Sequence, residues 1–145
     1  RELSMARGKK QTKGSSGFNQ KSTDSFLVKN SCKPDVKTTL TGLQILEIDV
    51  VSDEVPTPES SVEVHQRISL IDGTILDDTY KTGETDHFSL EEAIPGYREG
   101  LLLTGVGGRS RFFVPPGLAW GKQGSGKRIG PNAVLIIDVR LIQIL

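Results

Sequence analysis

Ser89-Leu90-Glu91-Glu92-Ala93-Ile94-Pro95-Gly96-Tyr97-Arg98-Glu99-Gly100-Leu101-Leu102-Leu103 is the one stretch in the body of the chain with a helical pattern. Ser89 with Glu92 three residues on reads as a capping box. Pro95 falls in the early turns, where a missing N–H costs least. Gly105, Gly107 and Gly108 stop the element. The pattern predicts a helix over about 91–103.

Working outward, everything else in the body reads as strand or turn. Val62, Val64, Ile68 and Leu70 alternate with Glu63, His65, Arg67 and Ser69, a strand with one apolar face that Gln66 interrupts. Asp72-Gly73 is a hairpin signal. Thr41 to Val50 is rich in β-formers, and Phe88-Ser89-Leu90 is a short extended piece. Arg109 to Val114 is a strand stopped by Pro115-Pro116, and Leu118 to Pro131 is a glycine-rich loop. Val134 to Leu145 closes the pattern, with Leu135, Ile137, Val139, Leu141 and Leu145 on one face. Strands so rarely separated by helices exclude a wound βαβ sheet. The expected class is α+β: a twisted antiparallel sheet of five to six strands wrapped on one short helix, over residues 36–145. Residues 1–35 form a basic extension, extended or disordered over 1–17. A short helix from Phe18 to Ser31 follows, with Ser22 or Thr23 as its cap and Lys33-Pro34 ending it.

The 145 residues suit one domain with an appendage. No apolar run approaches the ~20 residues of a membrane helix. The formal net charge is zero but divided: residues 1–30 hold seven Lys/Arg against two Asp/Glu. Such a start fits a solvated tail, a docking segment for protein partners, or the remnant of an organellar (mitochondrial or plastid) targeting region. Lys9, Lys10 and Lys13 are too sparse for a nucleic-acid claim. Cys32 is the sole cysteine, which excludes an internal disulfide and a four-thiolate metal site. His65 and His87 fit no ligand spacing, so neither metal nor cofactor is expected. Gly121-Lys122-Gln123-Gly124-Ser125-Gly126-Lys127-Arg128 nearly matches a phosphate-binding loop. It lacks the final Ser/Thr, and Gly130-Pro131 denies it the helix that must follow.

The motifs themselves say more. Ile71-Asp72-Gly73-Thr74, Ile94-Pro95-Gly96-Tyr97-Arg98-Glu99-Gly100-Leu101, Val114-Pro115-Pro116-Gly117-Leu118-Ala119-Trp120-Gly121 and Pro131-Asn132-Ala133-Val134-Leu135-Ile136-Ile137-Asp138-Val139 follow in this order. Together they resemble the FKBP-type peptidyl-prolyl isomerases, whose pattern reads roughly DGT-x-F-D, I-x-G-W-x-E-G-L, I-P-P-x-L-A-Y-G and P-x-A-x-L-I-F-D-V. Phe26 to Asn30, followed by Val36 to Gln44, is similar to the junction in Mip-like bacterial members, where a helix leads into the domain.

The resemblance implies catalysed cis/trans exchange about X–Pro bonds in proline-containing polypeptides, in a dry, aromatic-lined pocket and without a cofactor. It assigns Asp77, Ile94, Tyr97 and Trp120 as the catalytic group, with Gln66, Leu76, Phe88, Ala93, Ile129 and Ile137 lining the substrate side. Tyr97 stands where the family has Trp, and Trp120 where it has Tyr. Leu76 and Ile137 both replace Phe, and Gln66 falls where the family strand reads V-H-Y. These departures lead to two expectations: an isomerase of reduced activity, or an FKBP-fold binding or structural subunit of a larger assembly whose pocket has lost most catalysis. Each pocket residue also fits a plain core role.

Overall fold

The computed structural model describes residues 16–126 and 128–145. The extended or disordered tail expected over 1–17 falls outside them, apart from Ser16 and Gly17, which the first helix takes up.

That helix, α1 (Ser16–Ser31), is longer than the sequence suggested. Its inward positions recur at helical spacing as Asn19, Thr23, Phe26 and Asn30. Most of them are polar. Because the helix begins at Ser16, Ser22 and Thr23 both lie mid-helix and neither caps it; Thr23 is on the buried face. Asn30 Nδ2 donates to Gln44 Oε1 (2.7 Å), and Gln44 Nε2 donates to the Leu27 carbonyl (3.0 Å). Phe26 meets Phe113, with ring centroids 6.0 Å apart.

The body is a seven-stranded antiparallel sheet: β1 (Val36–Thr38), β2 (Gln44–Asp49), β3 (Ser61–Ser69), β4 (Ile75–Asp78), β5 (Asp86–Ser89), β6 (Arg109–Val114) and β7 (Leu135–Ile144). The strand count exceeds the expected five to six because three-residue β1 pairs with β2 and β5 forms a full partner of β3. The order is β1-β2-β6-β7-β3-β4, which puts β7 between β6 and β3. One edge of β3 carries two partners in succession. β5 pairs with residues 61–64 and β4 with residues 67–69. A single helical turn, α2 (Thr79–Thr82), joins β4 to the segment leading into β5; Asp78 caps it and Gly83 ends it at φ 82°.

The apolar faces of β3 and β7 behave as their alternation predicts. Val62, Val64, Ile68, Leu135, Ile137, Val139 and Leu141 are all buried, whereas Leu145 is exposed. The helix beneath the sheet, α3 (Pro95–Leu102), starts later than expected. Ser89 Oγ accepts from the Glu91 N–H and caps a 3-10 turn, Leu90–Glu92. Ala93 and Ile94 are then extended before Pro95 opens α3. A residue before proline resists helical geometry, and that splits the element in two. α3 lies tight on β6. A Cβ on Gly100 would fall 2.5 Å from Phe112 Cε2, and one on Gly96 would collide with Val114 Cγ1.

Candidate active site

The gap between β5 and β4 along β3 falls at His65 and Gln66. There the Thr79 hydroxyl stands in for a missing strand partner: it accepts from the Gln66 N–H (2.6 Å) and donates to the Gln66 carbonyl (3.2 Å). The Gln66 side chain turns inward from the same gap and is 2% exposed. Its Nε2 donates to Asp77 Oδ2 (2.8 Å), at the end of β4, and to Asp86 Oδ2 (3.0 Å), at the start of β5. Its Oε1 accepts from the Tyr97 hydroxyl (2.5 Å), which rises from α3. One amide thereby joins three elements, and its donor and acceptor are both used. A buried amide lacking partners costs ~1–3 kcal/mol, and Gln66 does not incur that cost.

Around this amide the structure gathers the other residues assigned from sequence. Leu76 is the extra residue of a β-bulge, since Ile68 pairs with Asp77 and Ser69 with Ile75. Such bulges re-aim neighbouring side chains; Leu76 is buried and Asp77 half-buried. Phe88 packs on Tyr97 (centroids 5.2 Å), and Tyr97 meets Phe112 edge-on (6.2 Å). Ile137 lies in β7 between Ile68 and Phe112 in register. Ala93 and Ile94 enter at the start of α3, and Trp120 and Ile129 come from the glycine-rich loop; all four belong to the same contiguous apolar cluster. Their packing is close: Tyr97 is 0% and Trp120 1% exposed. Only Asp77 and Phe88, of the ten assigned residues, keep intermediate exposure.

Two contributors escaped the sequence reading, Asp86 and Thr79. A glutamine on an apolar strand face signals that polar partners exist, but nothing local in the sequence says which ones.

The loop that carries Trp120 and Ile129 is closed at its neck by Asn132 N–H donating to the Gly121 carbonyl (2.9 Å). Ser125 and Ile129 exchange backbone hydrogen bonds within it (2.9 and 3.2 Å). A cleft of about 520 Å³ lies elsewhere, between α1 and residues 70–72 and 130–134, and is lined by none of the assigned residues.

On the opposite face of the sheet Asp138 is buried under two arginines. Arg109 holds it bidentately (2.8 and 3.0 Å), and Arg111 adds a third bond (2.9 Å). Burial alone would raise the Asp138 carboxyl, but the arginine hydrogen bonds and charges win and hold it below the usual range. The Tyr80 hydroxyl donates to the same carboxylate (3.2 Å). Its own pKa is pushed up to about 12, first by burial and then by the Asp138 charge.

A sheet wrapped on one short helix, with an aspartate and aromatic side chains converging at its split edge, matches known proteins. The family model for FKBP-type peptidyl-prolyl cis-trans isomerases matches residues 52–142, more than half of the chain. The chain belongs to this family. A probable FKBP-type peptidyl-prolyl cis-trans isomerase FkpA of Neisseria meningitidis is 37% identical over 140 residues, covering 97% of this chain and 52% of the relative. The peptidyl-prolyl cis-trans isomerase Mip of Coxiella burnetii is 38% identical over 126 residues, covering 87% of this chain and 55% of the relative. The chain thus spans about half the length of these curated relatives. Among solved structures, FkpA from Escherichia coli superposes with a TM-score of 0.84 at 33% identity, over 89% of this chain and 60% of that one. A peptidyl-prolyl cis-trans isomerase from Pseudomonas syringae also gives 0.84 at 26% identity, over 92% of this chain and 98% of that one.

Proposed function

We propose that the chain is a peptidyl-prolyl cis-trans isomerase of reduced activity. Its reaction would proceed without a covalent intermediate. The X–Pro amide resists rotation because of its partial double bond, with a barrier of ~18–20 kcal/mol. Twisting removes the resonance and makes the amide less polar, so a dry apolar pocket binds the twisted form better than the planar one. In this reading Leu76, Phe88, Ala93, Tyr97, Trp120, Ile129 and Ile137 supply the dry walls. Asp77 and the Ile94 N–H hold the flanking peptide groups.

The carrying observation is the buried Gln66 amide, which ties Asp77, Asp86 and Tyr97 into one network. It supports a maintained pocket in which a glutamine and a tyrosine settle each other. Two features support a lowered rate. Leu76 and Ile137 are aliphatic, and each lost aromatic contact is worth ~1 kcal/mol. The walls are also withdrawn from solvent, Tyr97 and Trp120 almost wholly, so a prolyl ring meets little open aromatic surface. Together these lower the rate about tenfold to a few hundredfold.

The same occlusion favours a second reading, a binding or structural subunit that keeps the fold with little catalysis. Such a subunit would co-purify with protein partners through residues 1–35, and an organellar address belongs with that reading. The test is the catalysed exchange rate on an X–Leu–Pro–Phe peptide. The native chain would be compared with Gln66→Tyr/Leu76→Phe/Ile137→Phe. Slow but measurable catalysis that rises in the triple variant supports the isomerase. A native rate as high as the variant's removes the claim of reduced activity, and no native catalysis with recovery in the variant favours the subunit.

A further inference from the structure

We propose that Thr23, on a helix outside the stretch matched by the family model, is a positioning residue for the loop that brings Trp120 and Ile129 to the site. The inference rests on the isomerase reading above for its effect on rate. Thr23 is 2% exposed, and its hydroxyl donates to the Asn132 carbonyl at 2.5 Å. One turn earlier, Asn19 Nδ2 donates to the Pro131 carbonyl at 2.9 Å. Both acceptors lie where the glycine-rich loop rejoins the body, beside the Asn132 N–H that closes the loop onto Gly121. Asn132 holds a left-handed backbone, φ 54°, at this neck.

The loop has much backbone freedom of its own. Gly121, Gly124 and Gly126 all adopt positive φ, which side-chain-bearing residues rarely do. Its placement therefore depends on its anchors: Arg128 Nη2 donates to the Ile75 carbonyl of β4 (2.6 Å), Ile129 is buried in the core, and α1 holds the neck. The far end of α1 is anchored on the sheet by Asn30, Leu27 and Phe26. The helix thus acts as a beam from the sheet to the loop neck. The cleft of about 520 Å³ beside the beam separates Asn19, Ser22 and Thr23 from Leu70, Ile71 and Val134. Where packing is interrupted in this way, the Asn19 and Thr23 side-chain hydrogen bonds bridge α1 and the loop neck. A pocket wall displaced by a fraction of an ångström weakens catalysis even when the reacting groups are untouched.

Trp120 is the only tryptophan in the chain, so its fluorescence reports on the loop alone. The experiment uses the full chain and compares Thr23→Val, which keeps the bulk and removes the hydroxyl, with Thr23→Ser, which keeps the hydroxyl. Acrylamide quenching of Trp120, amide hydrogen exchange over 121–133 and over α1, and kcat and KM on the tetrapeptide are measured together. The valine variant is expected to speed loop exchange and lower kcat/KM by about fivefold each, the scale of one lost hydrogen bond. Trp120 quenching should rise, exchange at the Leu27–Asn30 end of α1 should stay slow, and serine should restore all three readouts. Unchanged quenching and loop exchange in Thr23→Val would overturn the proposal. So would a loosened loop with unchanged kcat/KM. If Thr23→Val does not fold, Asn19→Ala is judged by the same criteria. A native chain with no isomerase activity defeats the isomerase reading, and loop exchange with quenching then decides the tether alone.

Discussion

At Gln66, removing the amide while keeping an apolar side chain of similar reach separates packing from hydrogen bonding. Gln66→Leu takes away the donor shared by Asp77 and Asp86 and the acceptor of the Tyr97 hydroxyl. Urea unfolding should show a loss of about 2–3 kcal/mol, the cost of leaving buried polar groups poorly matched. Tyr97→Phe should cost about 1 kcal/mol. The double variant should lose less than the sum of the two, because the partners share one network. Additive losses would mean that the two residues act independently. This centre was half legible in the sequence. Val64-His65-Gln66-Arg67-Ile68 announces a polar intruder on an apolar face, but its partners lie 11, 20 and 31 residues away. Only the split pairing of β3 brings them together.

Among the elements, the contact of α3 with β6 is made close by glycines, and propensity and packing make opposite predictions there. An alanine in a helix interior is favoured over glycine by up to ~1 kcal/mol. At Gly100 the added methyl would meet the Phe112 ring, and overpacking costs ~1–3 kcal/mol. Packing should win, and Gly100→Ala should lower stability by about 1–2 kcal/mol in chemical denaturation. Gly117, which has open space around it, should accept alanine with little change. The strands were readable because period-two alternation in β3 and β7 needs nothing beyond the sequence. The helices were read less well, for two different reasons. Ser89 and Glu92 imitate a capping box, yet Ile94 precedes a proline and stays extended, so the pattern breaks at that point. α1 buries Thr23 and Asn30 and half-buries Asn19, and a helix with a polar inner face leaves little hydrophobic periodicity to find.

For the whole molecule, Asp138 links stability to pH. Its folded carboxyl titrates below the unfolded value of 3.8, so the charged form is the one that folding favours. Its contribution is therefore present above that value and is lost as pH falls below it through the lowered folded pKa. Thermal melts should show the native chain losing this stability as pH drops below about 4. Asp138→Asn should start about 2–3 kcal/mol lower at neutral pH, since both arginines then lack their counter-charge, and should fall less steeply in acid. Equal slopes for the two proteins would place the acid sensitivity in other carboxylates. The order of the sheet also has a consequence in time. β7 is the middle of the sheet, with β3 on one side and β6 on the other, yet every other strand leaves the ribosome before it. Until it emerges, the nascent chain holds two half-sheets with bare inner edges, which invite pairing with the wrong neighbour. The interval between the completion of β6 and the arrival of β7 is therefore the stretch of synthesis in which this chain is most open to misassembly.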